Sequence, residues 1–233
     1  MTVETGSASE LPADRAERAY SSLRAAIIEG ALTPGTKLGE ETLAAHYGVS
    51  RTLVRTVLAR LVRDGLVASP HGRSAEVAHP TLDEARDAFV VRRALEREAV
   101  LRVGARWDDG IHDRLRVHVQ AEREAWADRR SAASARFGGE FHILLARESG
   151  NGLLERYMSE VISRTALILR IYGRDIDQGA SIDEHDELIA LLAAGHVDRA
   201  ADHVTHHLDE VERKTLRADP PAGDPLLAVL SRY

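Results

Sequence analysis

Residues 40–67 read EETLAAHYGVSRTLVRTVLARLVRDGLV. The first eight residues favour a short helix, Gly48 interrupts it, and Ser50 stands where an N-cap residue would start a second helix. That second helix has an apolar face at helical spacing, formed by Leu53, Val54, Val57, Leu58 and Leu61. Because two helices joined by a short glycine-containing turn are typical of a helix-turn-helix, this stretch decides the fold of the N-terminal part.

A further helix precedes this pair, and a hairpin follows it. Apolar residues between positions 14 and 29 recur at the spacing of an amphipathic helix, and Gly30 ends it. Residues 66–69 and 75–78 have the pattern of two short strands. The sequence therefore predicts a winged helix-turn-helix over residues 15–80, after a flexible N-terminus at residues 1–14.

Residues 81–216 contain six further helical patterns. They lie at roughly 81–103, 111–127, 131–149, 153–172, 182–194 and 197–216. The joints between them are short, which predicts a bundle. The expected fold class is mainly α, with an N-terminal winged helix-turn-helix, a C-terminal all-α bundle of six or seven helices, and a tail at residues 217–233.

Composition excludes several classes of protein. The chain has no cysteine, which removes disulfides and thiolate zinc sites and leaves histidine and carboxylates as the strong metal ligands. No stretch approaches the ~18 apolar residues of a membrane span, and the N-terminus lacks the features of a signal peptide. We therefore expect a soluble, cytoplasmic protein with no membrane partner.

The distribution of charge favours a nucleic-acid partner for the N-terminal part. The net charge is −6, but residues 81–233 carry the whole deficit, and residues 50–73 hold five arginines against Asp64 alone. A recognition helix places its N-terminal residues in the major groove, where arginine bonds guanine or phosphate. Ser50, Arg51 and Arg55 occupy those positions. Because exposed arginines are ordinary on helices, the pattern alone leaves a merely solvated face equally open.

The N-terminal part resembles the winged helix of GntR-family repressors over about residues 18–80. The resemblance is carried by residues 38–44, 48–55 and 61–67. It implies DNA contacts from two groups of residues: Ser50, Arg51 and Arg55 on the recognition helix, and His71, Gly72 and Arg73 at the tip of the wing. Family members commonly have Glu-Ala after the second arginine, where this chain has Thr56-Val57, a departure that affects packing more than base reading.

The helical remainder resembles the FCD effector-binding domain of the FadR subfamily over about residues 82–212. The resemblance is carried by residues 89–96, 140–142, 150–151, 184–189 and 207–208. In many such domains an Asp and three histidines bind a divalent metal. By that correspondence the ligands here are His142, His185 and His207, and the metal is zinc or a nickel-like ion.

The position of the fourth ligand departs from this pattern, because Gly138 stands four residues before His142, where the family has its Asp. Three neutral imidazoles still suffice for zinc or nickel, and they leave a coordination position open for water or an effector carboxylate. Glu140 is a poor substitute since it points to another face of the helix, and His203 is a reserve ligand one turn before His207. A metal-free polar pocket and hydrogen-bonded core histidines stay open as alternatives.

The resemblance also implies effector-binding residues. Arg92 matches the arginine of the first FCD helix and would pair with a carboxylate effector, while Glu96 one turn later would orient it. A surface ion pair is the alternative. Asn151 matches a family position too, although helix capping explains the Gly150-Asn151 pair equally well.

A chain that reads DNA and senses a small molecule is expected to act as a switch. We expect a homodimer on a palindromic double-stranded DNA operator. The family resemblance implies a repressor that a small carboxylic-acid effector releases, and activation stays open because the sequence does not show where the operator lies relative to a promoter. Two other functions stay open. One is a constitutive DNA binder with a structural metal, and the other is a metal-dependent hydrolase with Glu140 or Glu184 as general base.

Overall fold

The computed structural model describes residues 12–69, 74–173 and 177–216. Within these ranges the elements are α1 (Pro12–Ile28), α2 (Glu40–Tyr47), α3 (Arg51–Arg63), β1 (Val67–Ala68), β2 (Glu76–Val77), α4 (Leu82–Ala105), α5 (Asp109–Ala127), α6 (Ser131–Glu148), α7 (Gly152–Tyr172), α8 (Gln178–Ala193) and α9 (Val197–Thr215). The predicted fold class is confirmed. The wing-tip residues His71, Gly72 and Arg73, residues 1–11 of the predicted flexible N-terminus and the tail at 217–233 lie outside the described residues.

The N-terminal winged helix forms as its local sequence dictates. Gly48 ends α2 in the left-handed conformation (φ 63°), and the hydroxyl of Ser50 caps α3 by accepting from the backbone N–H of Leu53. β1 and β2 pair antiparallel. The three helices and the hairpin share a core that includes Leu23, Ile27, Leu61, Leu66 and Val77.

The six C-terminal helices form a bundle in which α4 packs against α6, α7 and α9. A capping box starts α4, because Thr81 accepts from the backbone of Glu84 while the Glu84 carboxylate accepts from the backbone of Thr81. α8 begins four residues earlier than the periodicity predicts, since Asp177 caps it by accepting from Ala180 N–H. Among the described helices, none has the length and apolar character that crossing a membrane would require.

The two parts of the molecule meet along α7. Leu167 of α7 belongs to the hydrophobic core of the winged helix, and the guanidinium of Arg24 on α1 donates to the hydroxyl of Ser163 at 3.2 and 3.3 Å. The guanidinium of Arg170 packs against Gly30, just beyond the end of α1. One helix of the bundle is therefore also a packing partner of the winged helix.

A buried hydrogen bond ties α1 to the end of α3. The hydroxyl of Tyr20 donates to the carboxylate of Asp64 at 2.5 Å, and the guanidinium of Arg60 lies 3.5 Å from the centre of the tyrosine ring. Burial, followed by the bond to Asp64, raises the pKa of Tyr20 to about 12. The folded winged helix therefore holds this proton more tightly than the unfolded chain does.

We predict that Tyr20→Phe lowers the free energy of unfolding at pH 7 by roughly 1–3 kcal/mol, because Asp64 loses its buried donor. Since the raised pKa stabilises the folded state below pH 10 and this stabilisation is lost as the pH rises toward about 12, the variant should also lose stability less steeply over that range. Urea denaturation at several pH values measures both effects. Tyr172→Phe is the control, because its hydroxyl donates to the carbonyl of Pro80 instead. Equal pH dependence in Tyr20→Phe and wild type would contradict the prediction.

Candidate functional site

The N-terminal end of α3 presents two arginines to solvent. The side chains of Arg51 and Arg55 are each 61% exposed. Both face the carboxylate of Glu40 on α2: Arg55 Nε lies 3.0 and 2.9 Å from its oxygens, and Arg51 Nη2 lies 3.6 Å away. The hydrogen bond from Arg55 lowers the pKa of Glu40. Sequence reasoning missed Glu40, because helical spacing does not show which residues of two different helices meet.

Three helices bring the predicted histidine ligands together in the bundle core. His142 of α6, His185 of α8 and His207 of α9 are buried, and one ring nitrogen of each lies within 4.8 Å of the others. His203 is not part of this cluster, since its Nε2 lies 2.9 Å from the backbone carbonyl of Glu184. The structure therefore assembles the three predicted residues and leaves out the reserve.

A carboxylate stands beside Nδ1 of each of the three histidines. His185 Nδ1 bonds Glu122 Oε2 at 2.9 Å, and His207 Nδ1 bonds Glu184 Oε2 at 2.5 Å. His142 Nδ1 lies 2.8 Å from Glu96 Oε2, although the two atoms do not have hydrogen-bonding geometry. Carboxylates in this position orient metal-binding histidines in proteins. In His185 and His207 the bond to Nδ1 leaves Nε2 as the nitrogen available to a ligand, and Nε2 of His185 is buried without a partner.

Burial sets the charge state of the cluster. It lowers the pKa of His142 to about 3 and that of His185 well below its usual value, so both rings are neutral at pH 7. Burial also raises the pKa of Glu122 to about 7. Neutral imidazole is the form that binds metal ions. The donor set therefore fits a borderline divalent ion such as zinc or nickel.

Arg92 and Glu96 form a buried ion pair within α4. Their side chains are only 5% and 1% exposed, and Arg92 Nε donates to Glu96 Oε1 at 2.5 Å. The alternative of a surface pair is therefore wrong. Although burial opposes ionisation, Arg92 and then His142 lower the pKa of Glu96 to about 2. Glu96 thus stands between the predicted effector-binding arginine and the histidine cluster.

The histidines line a cavity of about 560 Å³. Arg92 also lines it, as do Gly138 and Gly139 of α6 and Thr165 and Arg170 of α7. Ile28 and Glu29, at the end of α1, lie on the same wall. The cavity therefore connects the histidine cluster with the winged helix, a contact that no local pattern in the sequence indicates.

Three other candidate residues lie elsewhere or have other contacts. Asn151 caps α7 by accepting from the backbone N–H groups of Leu153 and Leu154, and it is not among the residues that line the cavity. Glu140 pairs with Arg136 one turn earlier on α6 at 2.9 Å. Glu184, the other general base considered, is bonded to His207.

Comparison with known families and proteins agrees with this architecture. The FCD domain model matches residues 87–210, and the model for bacterial regulatory proteins, gntR family, matches residues 15–77. An uncharacterized HTH-type transcriptional regulator from an unstable DNA locus of Streptomyces ambofaciens is 27% identical over 210 residues, which cover 87% of this chain and 86% of that protein.

Two further likenesses concern a shorter stretch and a solved structure. The uncharacterized HTH-type transcriptional regulator BphR of Paraburkholderia xenovorans is 38% identical over 96 residues, which span 40% of this chain and 39% of that protein. The crystal structure of a GntR transcriptional regulator from Rhodococcus sp. RHA1 has a TM-score of 0.76 at 26% identity, covering 88% of this chain and 99% of that one.

We predict that Arg92→Ala destabilises the protein by about 3–5 kcal/mol, because it leaves the Glu96 carboxylate buried without its cation. Arg102→Ala on the same helix is the matched control, since its pair with Glu98 has the same i,i+4 spacing but is about half exposed. That change should cost less than about 1 kcal/mol. Chemical denaturation of both variants measures the difference, and equal losses would show that burial does not distinguish the two pairs.

Proposed function

Because this chain belongs to the gntR family of bacterial regulatory proteins and carries an FCD domain, we propose that it is a transcriptional repressor whose DNA binding is released by a small carboxylate effector. One observation carries the effector part of the proposal. The cavity beside the three histidines is also lined by Ile28, the last residue of α1, and by Glu29 after it, so a single ligand there would contact both the bundle and the winged helix.

The exposed end of α3 supports the DNA contacts. Ser50 caps the first turn of α3, and the side chains of Arg51 and, one turn later, Arg55 are each 61% exposed. In the proposed complex this turn enters the major groove of double-stranded DNA, where an arginine can bond guanine or phosphate. The wing residues His71, Gly72 and Arg73 are proposed to contact the neighbouring backbone or minor groove.

An exposed apolar face supports a homodimer. Val90 and Val91 of α4 and Leu153 and Tyr157 of α7 are large hydrophobic side chains open to solvent, and Val91 and Tyr157 line one groove between the two helices. We propose that a second copy of the chain covers this face. A two-fold dimer would present two winged helices to the two half-sites of a palindromic operator.

The histidine cluster supports a divalent metal in the cavity. His142, His185 and His207 would hold it, and the unpartnered, buried Nε2 of His185 gives a reason for an ion to bind there. When bound, zinc or a nickel-like ion would supply an electrophilic position for an effector carboxylate. Arg92 lines the same cavity and has guanidinium donors beyond the one bonded to Glu96.

Helix α7 supports a route from the effector to DNA. Its Thr165 and Arg170 line the cavity, while its Ser163 and Leu167 contact the winged helix. An effector that favours one position of α7 would shift the orientation of the winged helix, and thereby the fit of the dimer to its operator. Couplings of this kind are typically about 1–3 kcal/mol.

For the DNA-binding part, we predict that Arg51→Ala and Arg55→Ala each weaken operator binding by roughly 1–3 kcal/mol. The test uses a duplex selected from random sequences, fluorescence anisotropy at several salt concentrations, and a stoichiometry measurement that should give two chains per duplex. If the removed arginine contacts a phosphate, the slope of log affinity against log salt concentration should also become shallower by about one. Arg116→Ala, an exposed arginine on α5, should change nothing. Undiminished affinity in both α3 variants would remove these residues from the interface.

For the effector part, operator affinity is measured with chelator-treated protein and with Zn²⁺- or Ni²⁺-loaded protein, in the presence of acetate, lactate, succinate or citrate. We expect one of these carboxylates to weaken DNA binding of the metal-loaded protein by about 5–150-fold. His142→Ala/His185→Ala should lose the metal and the response while retaining DNA affinity. Affinity that no carboxylate changes would instead favour a constitutive DNA binder.

A further inference from the structure

The space beside Gly138 is already filled by a carboxylate from another helix. A Cβ atom at position 138 would lie 2.8 Å from Glu122 Oε1 of α5 and 3.3 Å from Gln178 Nε2 of α8. A carbon and an oxygen that are not bonded cannot approach to 2.8 Å without displacing one of them. A side chain at position 138 is therefore incompatible with Glu122 in its present place.

Glu122 cannot easily move aside, because both of its oxygens are engaged. Gln178 Nε2 donates to Oε1 at 2.8 Å, and Oε2 lies 2.9 Å from His185 Nδ1. The side chain is fully buried. Burying a carboxyl group is costly unless partners replace its hydration, and here the two partners come from α8, at the first residue of the helix and at the histidine itself.

Glu122 also does not converge on the point where the three histidines meet. The group of mutually close ligand atoms comprises His142, His185 and His207 only, among the residues that the structure describes. Glu122 instead reaches the nitrogen of His185 that faces away from the unpartnered Nε2. A carboxylate in this position would orient the imidazole of His185 without contacting the metal ion itself.

We infer that Glu122 takes the place of a carboxylate at position 138 and is the acidic partner of His185 in this metal site. It acts as a positioning residue on His185. Position 138 must be glycine, because Glu122 occupies the volume that any larger side chain there would need. The inference rests on the proposed function in one respect, namely that the three histidines bind a metal ion. No anionic protein atom then contacts the ion, so a coordination position is left for the carboxylate of an effector.

The test compares zinc binding in four proteins: wild type, Gly138→Asp, Glu122→Ala and Gly138→Asp/Glu122→Ala. Zinc dissociation constants come from competition with a chelator, and Co²⁺ absorption spectra report the coordination geometry. We expect Glu122→Ala to bind zinc about 10–100-fold more weakly, as is typical when a residue that orients a ligand is lost. Gly138→Asp should also bind zinc more weakly and should melt at a lower temperature, because the two carboxylates collide.

The double variant decides between the inference and a merely structural role. Removing the Glu122 carboxylate makes room for the aspartate introduced at position 138, so the double variant should bind zinc more tightly than either single variant, with a changed Co²⁺ spectrum. Glu140→Ala, which removes the half-buried partner of Arg136 on α6, should leave zinc binding unchanged. A double variant no tighter than the single variants, or a Gly138→Asp protein that binds zinc as tightly as wild type, would overturn the inference.

Glu122→Gln keeps the test informative if the position 138 variants do not fold, because the amide has nearly the same shape as the carboxylate. We expect it to fold and to bind zinc about 10-fold more weakly, since a neutral acceptor makes His185 a weaker ligand. Unchanged zinc affinity in Glu122→Gln would overturn the positioning role. Failure of the wild-type protein to bind Zn²⁺ would overturn the metal site in the proposed function as well, so the two failures are distinguishable.

Discussion

The constraint on which the bundle depends is the burial of its central polar groups away from water. Arg92, Glu96, Glu122, His142 and His185 are almost fully buried, and groups so placed must satisfy one another because solvent cannot reach them. They come from α4, α5, α6 and α8. The hydrogen bonds of Glu122 to Gln178 and His185 therefore hold α5 in register with α8 more strictly than aliphatic packing alone would.

Helix α7 has a different relation to this cluster. Apart from Arg170, which packs against Gly30, it contributes apolar and hydroxyl side chains to the wall of the cavity, and Thr165 bonds back to carbonyls of its own helix. Its position is therefore set by packing rather than by the charge network. Because α7 also packs against α1, the element shared by the two parts of the molecule is the one that the polar cluster holds least firmly. An effector bound in the cavity, as proposed, would therefore act on α7 without disrupting the cluster.

The sequence predicts the helices of this fold well, because apolar spacing and capping residues act over a few residues. Ser50 and Thr81 mark their helix starts correctly, whereas the start of α8 depends on the cap at Asp177, which periodicity does not register. The three histidines were found through the family resemblance. Glu122 was not, since nothing local in the sequence shows that α5 places a carboxylate against Gly138 and His185.

The ion pairs between Glu40 and the α3 arginines bear on how a chain of net negative charge would present the proposed DNA-binding surface. Because the pair is exposed and solvent screens it, DNA could displace Glu40 at little cost in the proposed complex. Until then the carboxylate limits the conformations of Arg55 and neutralises part of the local positive charge. A phosphate or a guanine offers the guanidinium a better partner, in a groove of strongly negative potential. In the proposed complex Glu40 would therefore pre-order these arginines without blocking them, and the arginines would lose less conformational entropy on binding DNA than unpaired side chains.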